Sequence, residues 1–140
     1  MIHRRDAIRA AAAAAIPFQA LFAAQTAQRD ELKRTPRMTR DLPRMDGDDW
    51  MVTVTELEYA PGGSSEAHRH NGHTFVYVLA GKLVARIDDG PETTYEPGQM
   101  FYEPPLHLHA VSRNASQTEP ARFLVFRIAE KGKPGTVPAK

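Results

Sequence analysis

Turn-forming residues interrupt the sequence at intervals of roughly ten residues between positions 50 and 130, and this spacing restricts the fold more than any other feature. Prolines, glycines and Asn or Asp pairs separate short segments that are rich in β-branched and aromatic side chains. None of these segments has the long apolar repeat of 3.6 residues that a helical bundle needs. The sequence therefore predicts an all-β fold, a single antiparallel barrel or sandwich over residues 50–130.

Eight strands are predicted, at residues 50–59, 66–70, 74–79, 83–87, 93–95, 99–102, 107–112 and 121–129. The dipeptide Asn71-Gly72 predicts a hairpin between the second and third strands, because both residues readily adopt the backbone angles of a tight turn. Residues 25–49 are polar, and we expect a linker or an arm on the barrel, with a helical turn near residues 30–34. Residues 131–140 are expected to be an extended edge segment or a loose tail.

The chain has 140 residues, the size of one domain, and its composition excludes several functions. The formal net charge is +1, which gives no indication of a nucleic-acid-binding surface. The chain has no cysteine, so thiolate zinc sites, disulfides and a cysteine nucleophile are excluded. The sequence also lacks a phosphate-binding glycine loop, a dinucleotide fingerprint and a G-x-S-x-G nucleophile motif.

Residues 1–24 have the pattern of a signal peptide that is removed from the mature protein. A basic start precedes an alanine-rich run, which is too short for a stable membrane anchor of about 20 apolar residues. The pair Arg4-Arg5 is similar to a twin-arginine export signal, although Ala7 takes the place of a larger apolar residue. We expect cleavage between residues 23 and 27 and a periplasmic or secreted protein. The alternative is a short cytosolic helix with a basic end.

Five of the six histidines fall into two short groups, and this distribution indicates a metal site. His68 and His70 lie two positions apart in a predicted strand, so both imidazoles face the same side. His109 follows Pro104 and Pro105, where a neighbouring strand could bring a third imidazole to the first two. Three neutral imidazoles suit one divalent transition metal (iron, manganese, nickel, copper or zinc), whereas calcium prefers oxygen ligands.

Three further side chains are candidates for an additional ligand or for a partner of the ligands: His73, Thr74 and His107. Thr74 has the same strand parity as the H-x-H pair, and His107 has that of His109. His73 points to the opposite face unless the strand bulges there. An H-x-H pair alone is a weak indication, because isolated histidines are more often surface or structural residues. No catalytic residue is assigned.

The spacing of these residues resembles the two motifs of the cupin superfamily over roughly residues 50–130, in particular the small single-domain members with one type-2 barrel. The first motif corresponds to Gly62 or Gly63, His68, His70, Val78, Leu79 and Gly81, and the second to Gly98, Pro104 and His109. The resemblance implies a small closed antiparallel barrel of the jelly-roll type. It also implies a metal ion inside the barrel, bound by His68, His70 and His109.

The sequence departs from the cupin pattern at three positions. Thr74 stands where the family has a glutamate ligand, Leu106 replaces a glycine, and Asn114 lies one position late. We therefore expect a three-histidine site, whose ion is a stronger Lewis acid and is held less tightly. A weakened or lost metal site is the alternative. Glu66, Glu103 and backbone carbonyls are the candidates for hydrogen bonds to the ligating imidazoles.

Three functions remain open, because a fold does not select between them. The first is a metal-dependent enzyme for small molecules, such as an oxygenase or a Lewis-acid lyase or isomerase. The second is a protein that binds or senses a small ligand or a metal, and the third is a metal-free barrel. An inward-facing arginine could bind a substrate carboxylate, and the candidates are Arg86, Arg113, Arg122 and Arg127. The oligomeric state is left open, and the resemblance to cupins implies that a homodimer could form through the sheets.

Overall fold

The structure is a computed structural model that describes residues 32–140, which form eleven strands and their connecting loops. The strands are β1 (Leu32–Asp41), β2 (Trp50–Tyr59), β3 (Ser64–Ser65), β4 (His68–His70), β5 (His73–Ala80), β6 (Leu83–Ile87), β7 (Thr93–Tyr95), β8 (Met100–Glu103), β9 (Leu108–Asn114), β10 (Ala121–Glu130) and β11 (Thr136–Pro138). The predicted signal peptide lies outside the described residues. Within residues 32–140, no helix is long and apolar enough to cross a membrane.

The strands form two antiparallel sheets that enclose a common interior. One sheet has the order β1-β2-β10-β5-β8, and the other has the order β11-β4-β9-β6-β7, with the short β3 paired to β9. The long strands β2 and β10 pair without a break from Ala121 opposite Tyr59 to Glu130 opposite Trp50. This arrangement confirms the predicted all-β antiparallel barrel or sandwich.

The core is made of inward-facing side chains from both sheets. Along β5, buried residues alternate with more exposed ones, as expected for a strand with one face inside. The central cluster consists of Tyr59, Val76, Val78, Leu83, Ala85, Phe101 and Phe123. Burial of these apolar surfaces supplies the main stabilisation of the fold, at roughly 25 cal/mol for each Å² removed from water.

Tyr59 connects the two sheets by a polar contact inside this core. Its hydroxyl lies 2.5 Å from Oγ of Ser65 and 2.9 Å from Oγ of Ser112. Both serines belong to the second sheet, whereas Tyr59 ends β2 in the first sheet. Burial raises the pKa of the Tyr59 hydroxyl, so the neutral phenol that forms these hydrogen bonds is favoured.

A buried asparagine fixes the end of β9. The Asn114 amide donates to the carbonyls of Ala60 (3.0 Å) and Glu119 (2.7 Å), and its oxygen accepts from the backbone N–H of Ser116 at 2.9 Å. The side chain is almost fully buried with these groups satisfied, which removes the cost of burying a polar amide. This is the asparagine that the sequence analysis found one position late in the second motif.

The predicted strands between residues 50 and 130 are confirmed to within two residues, and the short strand β3, which precedes the predicted strand 66–70, was not predicted. The helical turn expected near residues 30–34 is wrong for residues 32–34, which belong to β1. Pairing along β2 from Leu32 opposite Tyr59 to Asp41 opposite Met51 overrides any local helical preference. The 131–140 tail contains β11, an edge strand paired with β4.

The hairpin predicted at Asn71-Gly72 is also wrong. β4 pairs with β9 and β11, whereas β5 pairs with β10 and β8, so the dipeptide carries the chain from one sheet to the other. Gly72 is needed there for space, because a Cβ atom on it would lie 2.6 Å from Cβ of Ala129. The dipeptide does form a short connection between two strands, but these strands are not paired with each other.

Leu106 occupies the position where the family motif has glycine, and it has the backbone conformation that glycine favours. Its φ angle is +63°, in the left-handed region, which costs a residue with a side chain about 1–2 kcal/mol. The Leu106 N–H donates to the carbonyl of His70 at 2.8 Å, and its carbonyl accepts from Nη1 of Arg69 at 2.8 Å. These two bonds to β4 hold Leu106 in the unfavourable conformation.

Asp88, in the turn after β6, forms hydrogen bonds with the residues at the start of β9. Its Oδ1 accepts from the Leu108 N–H at 2.8 Å, its Oδ2 lies 2.5 Å from Nδ1 of His107, and its own N–H donates to the Leu108 carbonyl at 2.7 Å. The hydrogen bond from His107, followed by that from Leu108, holds the pKa of the Asp88 carboxyl below its ordinary value. The ionised carboxylate therefore contributes to stability.

We expect Asp88→Asn to lower the melting temperature at pH 7, because the amide loses the charge that His107 and Leu108 stabilise. A carboxyl with a lowered folded pKa stabilises the protein above its unfolded pKa of about 3.9, and this contribution is lost as the pH falls through the folded value. The difference between wild type and variant should therefore be fully present above about pH 5 and should shrink below about pH 4. Thermal melts across this pH range test the prediction. Asp89→Asn, at the neighbouring exposed position, is the matched control, and an equal loss in both variants would contradict it.

Candidate metal centre

Three histidines from two paired strands converge inside the barrel. His68 and His70 extend from β4, and His109 extends from β9, where it is the direct cross-strand partner of His68. The Nε2 atoms of His68 and His70 are 3.2 Å apart, and the ring centroids of His68 and His109 are 5.1 Å apart. The register of β4 against β9 therefore brings together residues that are about 40 positions apart in the sequence.

Glu103 adds a carboxylate to this group. Its Oε2 lies 2.9 Å from Nδ1 of His109 and 3.5 Å from Nε2 of His70, and its side chain is 4% exposed. One ligand atom from each of His68, His70, Glu103 and His109 can be chosen so that all four lie within 4.8 Å of one another. This spacing is that of side chains able to bind one ion, and the group could hold a metal.

Backbone carbonyls fix the orientation of two imidazoles. Nδ1 of His68 lies 2.7 Å from the carbonyl oxygen of Glu66, and Nδ1 of His70 lies 3.0 Å from that of Gly135. A carbonyl only accepts, so each Nδ1 must carry the hydrogen, which leaves each Nε2 lone pair directed into the cluster. Burial is the largest cause that lowers the pKa of His68, and this favours the neutral ring that binds metal.

His109 differs from the other two histidines because neither of its ring nitrogens has a hydrogen-bond partner among the described residues. Nδ1 lies close to Glu103, but the two atoms do not have the direction of a hydrogen bond. Buried polar atoms are normally paired, and an unpaired one costs about 1–3 kcal/mol. Nδ1 of His109 and Oε2 of Glu103 lie close together without a hydrogen bond between them, which is the arrangement expected of two ligands of one ion. The residues present therefore fit a metal.

The cluster opens into a cavity of about 1130 Å³ between the two sheets. Its wall includes apolar side chains such as Leu57, Val76 and Phe123, together with Tyr59 and Ser112. The segment 136–140 and the side chains of Arg34 and Arg127 also line it. A cavity of this size, lined by apolar and polar side chains in similar number, has room for a small molecule.

The other sequence candidates lie outside the four-residue group. The His73 ring is exposed on the outer face of β5, where its Nδ1 is 2.6 Å from the hydroxyl of Tyr102. His107 is half exposed and pairs with Asp88. Thr74 does face the interior and is fully buried, with its hydroxyl donating to the Gly72 carbonyl at 3.4 Å.

Glu103, expected from the sequence to hydrogen-bond to the ligating imidazoles, lies within the cluster itself, and the expectation of a cluster without a protein carboxylate is corrected. Glu103 lies directly opposite Thr74 in the pairing of β5 with β8. The carboxylate missing from the first-motif position is therefore supplied by the neighbouring strand. Glu103 lies two positions after the apolar Phe101, and this shared strand parity was the sequence signal that could have placed its side chain inside the barrel, where the structure has both residues buried.

Among the candidate arginines, only Arg127 lines the cavity. Arg113 pairs with Glu92 and Arg122 with Glu56 on outer surfaces, at 3.0 and 3.3 Å. Nε of Arg86 is buried without a hydrogen-bond partner among the described residues, away from the cavity wall.

Comparisons with known proteins agree with this fold. A cupin domain from Bordetella pertussis Tohama I is 25% identical, with a TM-score of 0.53, over 71% of this chain and 95% of that one. A cupin superfamily protein from Desulfitobacterium hafniense DCB-2 is 17% identical, with a TM-score of 0.52, over 72% and 80% of the two chains. A recombinant oxalate oxidase, solved with glycolate, is 23% identical, with a TM-score of 0.53, over 61% of this chain and 45% of the oxidase. The last two similarities, which are below 25% identity, show the fold alone.

No curated protein is similar enough to this chain to be matched with it. The family description that does match is that of a cupin domain, over residues 55–127. These residues include the histidines of both motifs and Glu103, and they make up more than half of the 140-residue sequence. The strands, the two-sheet topology and the matched residues lead to one conclusion, that this chain belongs to the cupin family.

Proposed function

We propose that this protein is an exported cupin that binds one divalent transition metal through His68, His70, His109 and Glu103, and uses it to act on a small molecule. The observation that carries the proposal is the four-residue group itself, with its ligand atoms within 4.8 Å of one another. The carbonyls of Glu66 and Gly135 support it, because they orient the Nε2 atoms of His68 and His70 inward.

The donor set favours iron, manganese, nickel, copper or zinc over oxygen-preferring ions such as calcium. When bound, such an ion supplies Lewis-acid or oxygen chemistry to a small molecule in the cavity. Glu103 brings one negative charge into the site, so the expected increase in Lewis acidity from a purely neutral ligand set does not apply. The apolar wall around Val76 and Phe123 excludes water from one side of the site.

A second candidate function is the non-catalytic capture of a small ligand or of the metal. The cavity favours it because few of its groups can transfer a proton. Apart from the cluster, the titratable groups of the wall are Arg34, Arg127, Tyr59, Glu66 and Lys140. The arginines do not exchange protons at neutral pH, and the Tyr59 hydroxyl is already bonded to Ser65 and Ser112. Glu66 and Lys140 are exposed at the surface.

We expect purified protein to contain near-stoichiometric metal, and His70→Ala or His109→Ala to abolish it, because each removes one ligand of a four-residue site. Elemental analysis by plasma mass spectrometry measures the metal content. Thermal melts should show that saturating metal stabilises wild type, by about 2.7 kcal/mol at a concentration 100 times the dissociation constant. His73→Ala is the control, since this ring lies on the outer face. Absence of metal after reconstitution, or an equal loss in His73→Ala, would contradict the proposal.

The position of the carboxylate gives a sharper test. We expect Glu103→Thr to weaken metal binding by at least the 10–100-fold that loss of a partner group around a ligand typically costs. In the double variant Thr74→Glu and Glu103→Thr, the carboxylate returns to the first-motif position, and the exchange within one cross-strand pair preserves the total side-chain volume. Competition with a metal indicator should show that the double variant binds metal more tightly than Glu103→Thr alone. Equal affinities of these two variants would mean that a carboxylate at position 74 does not reach the ion, and an unchanged affinity in Glu103→Thr relative to wild type would mean that Glu103 is not a ligand.

We also propose that the protein reaches the periplasm through the twin-arginine route. The support is the sequence of residues 1–24, with Arg4-Arg5 ahead of an alanine-rich segment. This route transports folded proteins, so a metal can be loaded in the cytosol before copper or zinc competes for the site. Replacing both arginines by lysine should retain the protein in the cytosol, measured by fractionation and immunoblotting. Arg9→Lys is the control. Unchanged export of the double-lysine variant would overturn the proposal.

A further inference from the structure

Arg127 brings a positive charge into the cavity beside the metal-binding group. It lies on β10 with the same parity as Phe123 and Val125, both of which line the cavity. Its cross-strand partner on β5 is Thr74, whose partner on β8 is Glu103. Arg127, Thr74 and Glu103 therefore form one inward-facing row across three adjacent strands.

The Arg127 guanidinium has no hydrogen bond and no salt bridge to any residue between 32 and 140. The acidic side chains of this range that form salt bridges with arginines form them with other arginines. Glu56, for example, pairs with Arg37 and Arg122. Burial lowers the pKa of Arg127, and no nearby charge compensates for this burial. A half-buried guanidinium that still has its five donors available has the capacity to bind an anion in two-point fashion.

Gly135 places this guanidinium next to a ligand of the metal site. The carbonyl of Gly135 accepts the hydrogen bond from Nδ1 of His70 at 3.0 Å. The other side of the same residue contacts Arg127, and a Cβ atom on Gly135 would lie 2.6 Å from Cζ of the guanidinium. A single glycine thus separates Arg127 from His70, and the absence of a side chain at this position leaves room for the guanidinium.

The charges of the cavity favour an anion. A divalent ion with Glu103 as its one charged ligand keeps a net charge of +1, and Arg127 adds a second positive charge close by. Arg34 also lines the cavity near its exposed edge and adds to the positive potential, and the two other charged side chains of the wall, Glu66 and Lys140, offset each other. The apolar side chains on part of the wall, such as Val76 and Phe123, reduce the screening of this potential by water.

We propose that the substrate or ligand of this protein is a small carboxylate anion, with its carboxylate bound by the Arg127 guanidinium and the rest of the molecule directed toward the metal-binding group. The substrate class rests on the proposed metal function, but the carboxylate contact does not require the metal. Arg127 is on this assignment a binding residue, and it lines the same cavity as Glu103.

The test is calorimetric titration with malonate as the probe and malonamide as its neutral counterpart of similar shape. Metal-loaded wild type should bind malonate and should bind malonamide much more weakly. We expect Arg127→Met to weaken malonate binding about 10–100-fold, the range for charge-assisted hydrogen bonds, and to leave the metal content unchanged. The malonate affinity of Arg127→Lys should lie between those of wild type and Arg127→Met, because lysine keeps the charge and loses the two-point contact. Arg122→Met is the control, since Arg122 lies on the same strand and is exposed on the outer face.

Gly135→Ala provides a second variant if Arg127→Met fails to fold. The added methyl group displaces the end of the arginine side chain and leaves the backbone carbonyl that orients His70, so malonate binding should weaken while metal is retained. Malonate binding by Arg127→Met as tight as in wild type, or no preference of wild type for malonate over malonamide, would overturn the proposal. If the protein holds no metal, the proposed metal function fails separately. In that case the same malonate titration is carried out on metal-free wild type and Arg127→Met. Malonate binding that depends on Arg127 supports the carboxylate site, and the absence of such binding overturns the proposal.

Discussion

The pairing of β4 with β9 is the constraint on which the candidate site depends. Only two residue pairs define this contact, His68 with His109 and Arg69 with Leu108. Side chains alternate between the two faces of a strand, so a slip of one residue would turn His68 and His70 out of the barrel. The contact is reinforced on both sides of β4. β11 pairs along its other edge, and the Leu106 N–H donates to the carbonyl of His70.

The cost of this arrangement is visible at Leu106. A residue with a side chain adopts a left-handed backbone conformation there, where the family motif has glycine. The conformation persists because both the N–H and the carbonyl of Leu106 bond to β4. The unfavourable φ angle of Leu106 is thus offset by two hydrogen bonds to β4, and these bonds help to keep β4 in register with β9. Asp88 has a similar role on the opposite side, since it fixes the first residues of β9 through Leu108 and His107.

Much of the fold could be predicted from the sequence, because turn residues and β-branched segments act locally. The boundaries of β2, β6 and β7 follow directly from this pattern. The convergence of His68, His70 and His109 followed from strand parity and from the resemblance to the cupin motifs. The partners of each strand are not a local property, and the Asn71-Gly72 crossing was therefore misassigned as a hairpin. β1 was missed because its strand conformation derives from pairing with β2, and its own sequence is polar and exposed.

The role of Glu103 shows the same limit at the level of chemistry. A sequence motif is defined by residues at fixed positions along the chain, whereas metal binding depends only on where the ligand atoms lie in space. In an antiparallel pair, Thr74 and Glu103 are nearest neighbours although 29 positions separate them, so either strand can deliver a carboxylate to the same region. Although position 74 is not a glutamate, the cluster still contains a carboxylate, which comes from Glu103 on β8 and not from β5.

The carbonyl of Gly135 has a consequence for the dynamics of the site. It belongs to the segment that leads into β11, a strand of three residues at the edge of its sheet. Short edge strands open at a lower free energy than the core of a domain, and such opening exposes their amides to exchange with solvent. Each opening of β11 would release the His70 ring and widen the cavity at the same moment. Ligand entry and the orientation of a metal-binding residue are thus linked through one local unfolding equilibrium, and ions that draw His70 inward would shift this equilibrium toward the closed state.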